Sequence, residues 1–238
     1  LRKYGSLMGL REVDIYAGLN VMILLLELNH YAQNRDELKG QISFNPCGQT
    51  DSDSFEPTQL LRIISYSNSF DLNTFANTVS QFLSSANLKN ADFTGADFSR
   101  ADIKNADFTG ADLSRTDLSR ANFSDANLIG VNLSNANLSL ANFSDANLSK
   151  ADLWGADFNN ANLSDANLSD ANLKEANLND TNLSDANFSK ANLDGITWDE
   201  YTQWQNVQGL ETAINIPEAL KQLLSLSPPN PPPDAPNS

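Results

Sequence analysis

Few residues of this sequence could take part in covalent chemistry. It contains one histidine, His30, and one cysteine, Cys47. Nucleophilic catalysis with a histidine base would depend on His30, and the surrounding segment ELNHYAQ contains no nucleophile motif. A lone cysteine can form neither an intramolecular disulfide nor a cysteine-rich metal site. We therefore predict that the protein is not an enzyme, with no catalytic residue, no cofactor and no metal site.

Carboxylates recur in this sequence at a regular spacing. Four aspartates recur at intervals of twenty residues, namely Asp125, Asp145, Asp165 and Asp185. The formal net charge of the 238-residue chain is −15. Proteins that read nucleic-acid phosphates need a basic surface, so direct nucleic-acid binding is not expected. A basic protein surface is the partner that such a charge favours.

These aspartates belong to a strict internal repeat. Ala86 to Gly195 divides without a gap into 22 five-residue words. The third residue of each word is Leu in fourteen words, Phe in seven and Ile in one, and the first residue is Ala in nineteen. The second residue is Asn or Asp throughout, which suits turns because these side chains bond to nearby backbone groups.

A period of five fits neither a helix nor a flat strand. On a helix, the apolar residues of successive words would point in all directions. On a strand, an odd period moves them to the opposite face at each word. If the chain turns a corner at every word, always in the same sense, all of them point inward around one core. The large residues predicted in this core include Leu88, Phe93, Phe98, Ile103, Phe108, Phe123, Phe143, Phe158 and Phe188.

The word A-(D/N)-(L/F)-x-x resembles that of the pentapeptide-repeat family, over 110 of the 238 residues. The resemblance implies a mainly β fold, a right-handed quadrilateral β-helix with four words per coil. The repeat would then make about 5.5 coils and a rod of roughly 26 Å, at the usual spacing of β-strands. The segment from Thr197 to Leu224 is also similar to C-terminal segments of cyanobacterial members. Most members have no known enzymatic activity, and some bacterial ones mimic DNA and bind gyrase.

With four words per coil, residues twenty apart stack on the outside of the rod. The acidic strip, defined as Asp125, Asp145, Asp165 and Asp185, then becomes a candidate docking site for a basic partner or for weakly bound divalent cations. Asp170, Glu175 and Asp180 would enlarge it. The alternative is a solvated surface without a ligand. Ile129, Leu140 and Trp154 are outward apolar residues expected on different faces, and Trp154 is the candidate contact anchor.

Four regions follow from these patterns. We predict a helical N-terminal domain or cap over 1–83, the β-helix over 84–198, a helical C-terminal cap over 199–226 and a disordered Pro-rich tail over 227–238. The predicted helices span 12–38, 57–67 and 217–224. For 71–85 two alternatives stay open: a helix, favoured by the spacing of Phe75, Val79 and Phe82, or a degenerate coil, because ANTVS and QFLSS keep the five-residue phase. Trp198 and Trp204 should cover the end of the core. The apolar run Gly18–Leu28 is too short for a membrane span, and we expect a cytoplasmic protein.

The predicted function is that of a non-enzymatic scaffold, which binds another protein through its outer faces. One alternative is a DNA mimic that regulates a DNA-processing enzyme such as gyrase. The other is a spacer for a signalling or oligomerisation module in residues 1–83.

Overall fold

The computed structural model describes residues 83–225 continuously, together with residues 24, 25, 28 and 35. Leu24, Leu25 and Leu28 have helical backbone, in agreement at these positions with the helix predicted over 12–38. The other predictions for residues 1–82, and the Pro-rich tail, lie outside the described residues.

Single parallel β-bridges connect each coil of residues 87–214 to the next. The second residue of a word pairs with the second residue twenty positions later, as in Asn87 with Asp107 and Asn122 with Asn142. Four words therefore complete one coil, and the coil has four faces. We number the faces 1 to 4 by their first bridged residues, which are Asn87, Asp92, Asp97 and Asp102.

Backbone hydrogen bonds run in both directions along the rod. The Phe123 N–H donates to the Asn142 carbonyl at 2.7 Å, and the Asn142 N–H donates back to the Ala121 carbonyl at 2.9 Å. The same pattern repeats from word to word. Because each coil satisfies the polar groups of its neighbours, the stack is a β-helix in which a single bridged residue per face replaces a longer strand.

The fourth and fifth residues of each word form the corner that follows each face. The N–H of the next word's first residue donates to the carbonyl of the third residue, at 3.0 Å for Ala126 to Phe123. In all 22 words the fifth residue has a positive φ, between 54° and 69°. This is the conformation that a type II turn requires at its third residue, and it favours Gly, Asn and Asp. Each corner takes the number of the face that precedes it in the chain, so corner 1 follows face 1.

The Asn or Asp of each word lies on a face and not at the corner itself. Its side chain nevertheless bonds to nearby backbone, as the sequence indicated: Asn142 Oδ1 accepts the Ser144 N–H at 3.1 Å. Because Oδ1 of the second residue reaches the N–H of the fourth, this bond leads the chain into the turn.

The first and third residues of every word point into the rod. All nine large core residues named from the sequence have no exposed surface. The rings of Phe123 and Phe143 stack with centroids 4.8 Å apart, and Phe93 meets Phe98 edge-on at 5.1 Å. Small Ala residues between them let the four walls approach closely enough to leave a filled interior.

At the N-terminal end, the coil begins earlier than predicted. Leu83 is fully buried, Ser85 has the positive φ of a corner residue, and its N–H donates to the Lys104 carbonyl at 2.8 Å. Of the two alternatives for 71–85, the coil is therefore confirmed and the helix is wrong for residues 83–85, because these residues already follow the five-residue register.

At the C-terminal end, the coil continues beyond the predicted boundary at 198. Bridges join Asn182 to Gln203 and Asn192 to Ile214, so extra residues lengthen this last coil to 21 and then 22 residues per step. The segment up to 214 is thus an irregular coil and not part of a helical cap. One helix follows, α1, Glu218–Ser225, close to the predicted 217–224. Within the described residues, no helix is long and apolar enough to cross a membrane.

Two tryptophans and one leucine close the C-terminal end of the core. Trp198 and Trp204 are half-buried against it, and Leu220 of α1 is fully buried. The Trp204 ring lies 6.0 Å from that of Phe188. Its indole Nε1 is buried and has no hydrogen-bond acceptor among residues 83–225.

Gly130 offers a test of the corner conformation, because it has φ +65° and no atom lies within 4 Å of a Cβ added there. Gly130→Ala should lower the free energy of unfolding by about 1 kcal/mol, since Ala is strained at positive φ whereas space is available. Gly130→Asn should have a smaller effect, because Asn tolerates this conformation. Urea unfolding of both variants measures the difference. Equal stability of the Ala variant and the unmodified protein would contradict the strain.

Candidate interaction surface

The acidic strip lies along corner 4. Its backbone is held by coil-to-coil hydrogen bonds, such as Asp145 N–H to the Ser164 carbonyl at 3.0 Å and Asp165 N–H to the Ser184 carbonyl at 2.9 Å. Asp125, Asp145 and Asp165 are exposed and Asp185 is half-buried. Successive carboxylates are therefore about one strand spacing apart, roughly 4.8 Å along the rod.

One basic residue neutralises the N-terminal end of the strip. Lys104 Nζ lies 3.5 Å from an Asp125 carboxylate oxygen, and both side chains are nearly half exposed. Within the described residues, no ion pair engages Asp145, Asp165 or Asp185. The part of the strip that could meet a basic group thus consists of these three carboxylates.

Asp170, Glu175 and Asp180 do not enlarge the strip. They occupy corners 1, 2 and 3, so with Asp165 and Asp185 they form an acidic belt around one coil. The belt is weakened at corner 2, where Lys174 Nζ lies 3.2 Å from Asp194 and 3.9 Å from Glu175. The negative charge of this half of the rod therefore faces every side, with its longest run at corner 4.

The Asn side chains beside the strip bond to one another and offer little to a ligand. On face 4, Asn142 Nδ2 donates to Asn122 Oδ1 at 3.3 Å and Asn162 Nδ2 donates to Asn142 Oδ1 at 3.0 Å. The ladder starts at Asp102, whose Oδ1 accepts from Asn122 at 3.1 Å. An ionised Asp can accept but not donate, so it can begin such a ladder but cannot continue it toward the preceding coil.

Two aspartates of the first coils, Asp107 and Asp112, have lowered pKa values. Partial burial alone would raise the pKa of Asp107, but hydrogen bonds from Thr109 and the Lys89 ammonium, 3.1 Å away, lower the pKa below its usual value. Burial would also raise the pKa of Asp112, but hydrogen bonds from Ser114 and Asn132 have the larger effect and lower it. Both groups stabilise the coil as anions and so are structural carboxylates.

The structure does not bring Trp154 to the acidic strip. Trp154 is 41% exposed at corner 2, diagonally opposite corner 4. Leu140 is 49% exposed at corner 3, and Ile129 is half-buried at corner 1. The three lie at different corners, but corners 2 and 3 bound the same face, so Leu140 and Trp154 flank face 3 from its two sides. A single partner seated on the strip would not reach Trp154.

Arginines border face 3 on both sides. Arg115 lies at corner 2, and Arg100 and Arg120 lie at corner 3. The sequence predicts that Arg100 and Arg120 stack, because they are twenty residues apart in the basic first seven words. What the sequence did not reveal is that Arg115 lies across the same face, since this requires comparison of the corners on its two sides. Among residues 83–225, no group of His, Cys, Asp or Glu is arranged to hold a metal ion.

A family model of pentapeptide repeats matches residues 83–120, 121–160, 141–180 and 161–197. Among solved structures, a pentapeptide repeat protein of the Arabidopsis thaliana thylakoid lumen is 34% identical, covering 42% of this chain and 69% of that one, with a TM-score of 0.41. HetL, involved in heterocyst differentiation regulation in the cyanobacterium Nostoc, is 31% identical, covering 52% and 68%, with a TM-score of 0.22.

QnrB1, a plasmid-mediated fluoroquinolone resistance protein, is 24% identical in a trypsin-treated form, covering 53% of this chain and 70% of that one, with a TM-score of 0.30. None of the curated proteins matches this chain.

Asp107 makes the stability of the rod dependent on pH. Because its pKa is lowered in the folded state, its contribution is present above the unfolded value of about 3.8 and is lost as the pH falls toward the folded value. Asp107→Asn should therefore flatten the decline of unfolding free energy below that pH, measured by urea unfolding across a pH series. Thr109→Val, which removes one donor to the carboxylate, should flatten it in part. Parallel declines in all three proteins would exclude this role for Asp107.

Proposed function

Because the chain belongs to the pentapeptide-repeat family, we propose that it is a scaffold that binds another protein through the outside of a right-handed quadrilateral β-helix. Members of this family are generally structural or interaction proteins and not enzymes. The proposed docking site is the acidic strip, and the proposed partner has a basic surface. The observation that carries this proposal is the row of exposed carboxylates at corner 4, three of which engage no cation in residues 83–225.

The closed interior supports a surface function. Backbone groups are bonded from coil to coil, the apolar side chains fill the core, and the Asn and Asp side chains of the faces serve the ladders and turns. The fourth and fifth residues of each word are thus the ones whose side chains lie outside the core and the ladders. A ligand would be recognised through their charge and shape.

The strip is suited to guiding a partner more than to holding it tightly. Each exposed ion pair contributes only about 0.2–1 kcal/mol. Several carboxylates in a row add mainly to the association rate and make it sensitive to salt, because exposed charges are screened within about 10 Å at 0.1 M salt. A partner would therefore need further contacts on face 4 or face 1, the two faces that corner 4 joins.

The charge distribution does not favour DNA mimicry. The first coils carry Lys89, Arg100, Lys104, Arg115 and Arg120, whereas a DNA mimic needs continuous negative charge. A cytoplasmic location stays a prediction.

Two variants with equal charge change test the strip. The strip variant carries Asp145→Asn, Asp165→Asn and Asp185→Asn, and the control carries Asp170→Asn, Glu175→Gln and Asp180→Asn, which alter the same coils at the other corners. Asn tolerates positive φ, so the corners should be preserved. Capture from a lysate of the source organism at low and high salt, read by quantitative mass spectrometry, should show a protein retained by the unmodified chain and the control but lost from the strip variant.

Equal loss from both variants would show that net charge, and not the strip, retains the protein. Equal retention by all three baits at low salt would overturn the strip as a docking site.

A further inference from the structure

Face 3 is bordered by all three arginines of the described residues 83–225. Arg100 and Arg120 lie at corner 3 and Arg115 at corner 2. Within these residues none of the three forms an ion pair, and neither do Lys150 and Lys190 at corner 1, whereas Lys89, Lys104, Lys174 and Lys221 each do. Arginine is enriched where one protein surface meets another, because its guanidinium group binds carboxylates in a fixed geometry and is weakly hydrated.

The charges along corner 3 reverse sign about its midpoint. In chain order this corner presents Arg100, Arg120, Leu140, Asn160 and Asp180. Leu140 is the central one of the five. Arg100 and Asp180 lie two coils on either side of it, about 10 Å at the strand spacing of the coils.

Corner 2 shows the same reversal. It presents Arg115 on the N-terminal side, and Lys174, Glu175 and Asp194 on the C-terminal side, with Asn135 and Gly155 between them. Lys174 is paired with both carboxylates, so this side keeps a net negative charge of about one. Trp154, exposed beside Gly155, lies near the middle of this corner. Both borders of face 3 are therefore basic at one end, acidic at the other and apolar near the centre.

Leu140 is an unfavourable choice for its backbone. It has φ 62°, where a side chain with a Cβ costs roughly 1–2 kcal/mol relative to the right-handed conformation. It is the one aliphatic side chain among the fifth residues of the 22 words, and it is 49% exposed. Neither backbone preference nor burial within residues 83–225 accounts for it, and a contact outside the chain would stabilise it.

We propose that face 3 is the interface of an antiparallel homodimer. When a second copy is turned end for end against this face, Leu140 meets Leu140 on the two-fold axis. Arg100 of each copy then meets Asp180 of the other, and Arg115 comes within side-chain reach of Glu175. A two-fold interface must be complementary to itself, and this reversal of charge meets that condition.

The other corners do not meet it. Corner 4 has one basic residue, Lys104, which is already paired with Asp125, so its other carboxylates would repel those of a second copy. Corner 1 carries Lys89, Lys150, Asp170 and Lys190, and this order of charges does not reverse about a midpoint. On face 3 itself, Asp97, Asp117 and Asp157 each accept a backbone N–H two residues later in the chain. Their charges are therefore partly satisfied within the rod and do not set the orientation of the partner.

The dimer should be weak. A face of three residues per coil is about 10 Å wide between corners and the repeat is about 26 Å tall, so the buried area per copy is a few hundred Å², less than the ~800 Å² of a standard interface. Association should therefore depend on protein concentration and salt. This proposal does not depend on the acidic strip, which lies at a corner that face 3 does not touch.

Charge exchange tests the pairing. Sedimentation velocity of the full chain should show a concentration-dependent dimer. Arg100→Asp alone and Asp180→Arg alone should each weaken dimerisation by about tenfold, because the two-fold symmetry replaces both copies of the pair by like charges. The double variant should restore it, because each exchanged residue again meets its opposite. A monomer at every concentration, or a dimer that the single variants leave unchanged, would overturn the proposal.

A disulfide tests the axis. In a Cys47→Ser background, Leu140→Cys should give a covalent dimer under mild oxidation, because the two positions meet on the two-fold axis. Asn160→Cys at the same corner is the matched control. It should not cross-link, since its two copies would lie two coils apart, about 10 Å, beyond the reach of a disulfide. Cross-linking of the control and not of Leu140→Cys would place the contact elsewhere and contradict the antiparallel register.

Discussion

The left-handed backbone conformation at the fifth residue of each word is the constraint on which the rest of the structure depends. It turns the chain by one corner every five residues, so four words close a coil and residues twenty apart are stacked. Stacking lets each coil satisfy the backbone of the next, and it points Ala and Leu or Phe into one core. Residues that resist positive φ are excluded at these positions: no Val, Ile or Thr occurs there in 22 words.

Separation of inside from outside follows from this turn. The interior admits small and large apolar side chains in alternation, and the Asn ladders join successive coils along each face. Apart from the aspartates at the second position of eight words, charged side chains of the repeat therefore lie at the corners, where every step of twenty residues adds one side chain to a column. A long acidic strip and a face flanked by charges of opposite sign are therefore two outcomes of the same geometry, reached by different choices at the corner positions.

Much of the fold could be predicted from the sequence, because 22 uninterrupted words determine the coil, its core and its twenty-residue stacking. The ends could not. The spacing of Phe75, Val79 and Phe82 favoured a helix, whereas Leu83 and Ser85 already follow the coil. After Gly195, extra residues lengthen the spacing between bridged residues from 20 to 21 and 22. The five-residue pattern is therefore lost from the sequence of the last coil, although Trp204 and Leu220 still cover the core. Leu140 could be predicted as an outward apolar residue, but its place at the midpoint of corner 3 follows only from the stacked coils.

The most direct test of the stacking is a pair of distances measured by electron paramagnetic resonance between spin labels at corner 4. With labels at residues 105 and 165 in one protein, and 105 and 185 in another, both in a Cys47→Ser background, the backbone separations should be about 14 and 19 Å, a difference of one strand spacing. Distances between labels on two different molecules must not contribute, and mixing labelled with excess unlabelled protein removes them. Separations that do not increase by about 5 Å for the added twenty residues would contradict the coil and every surface derived from it.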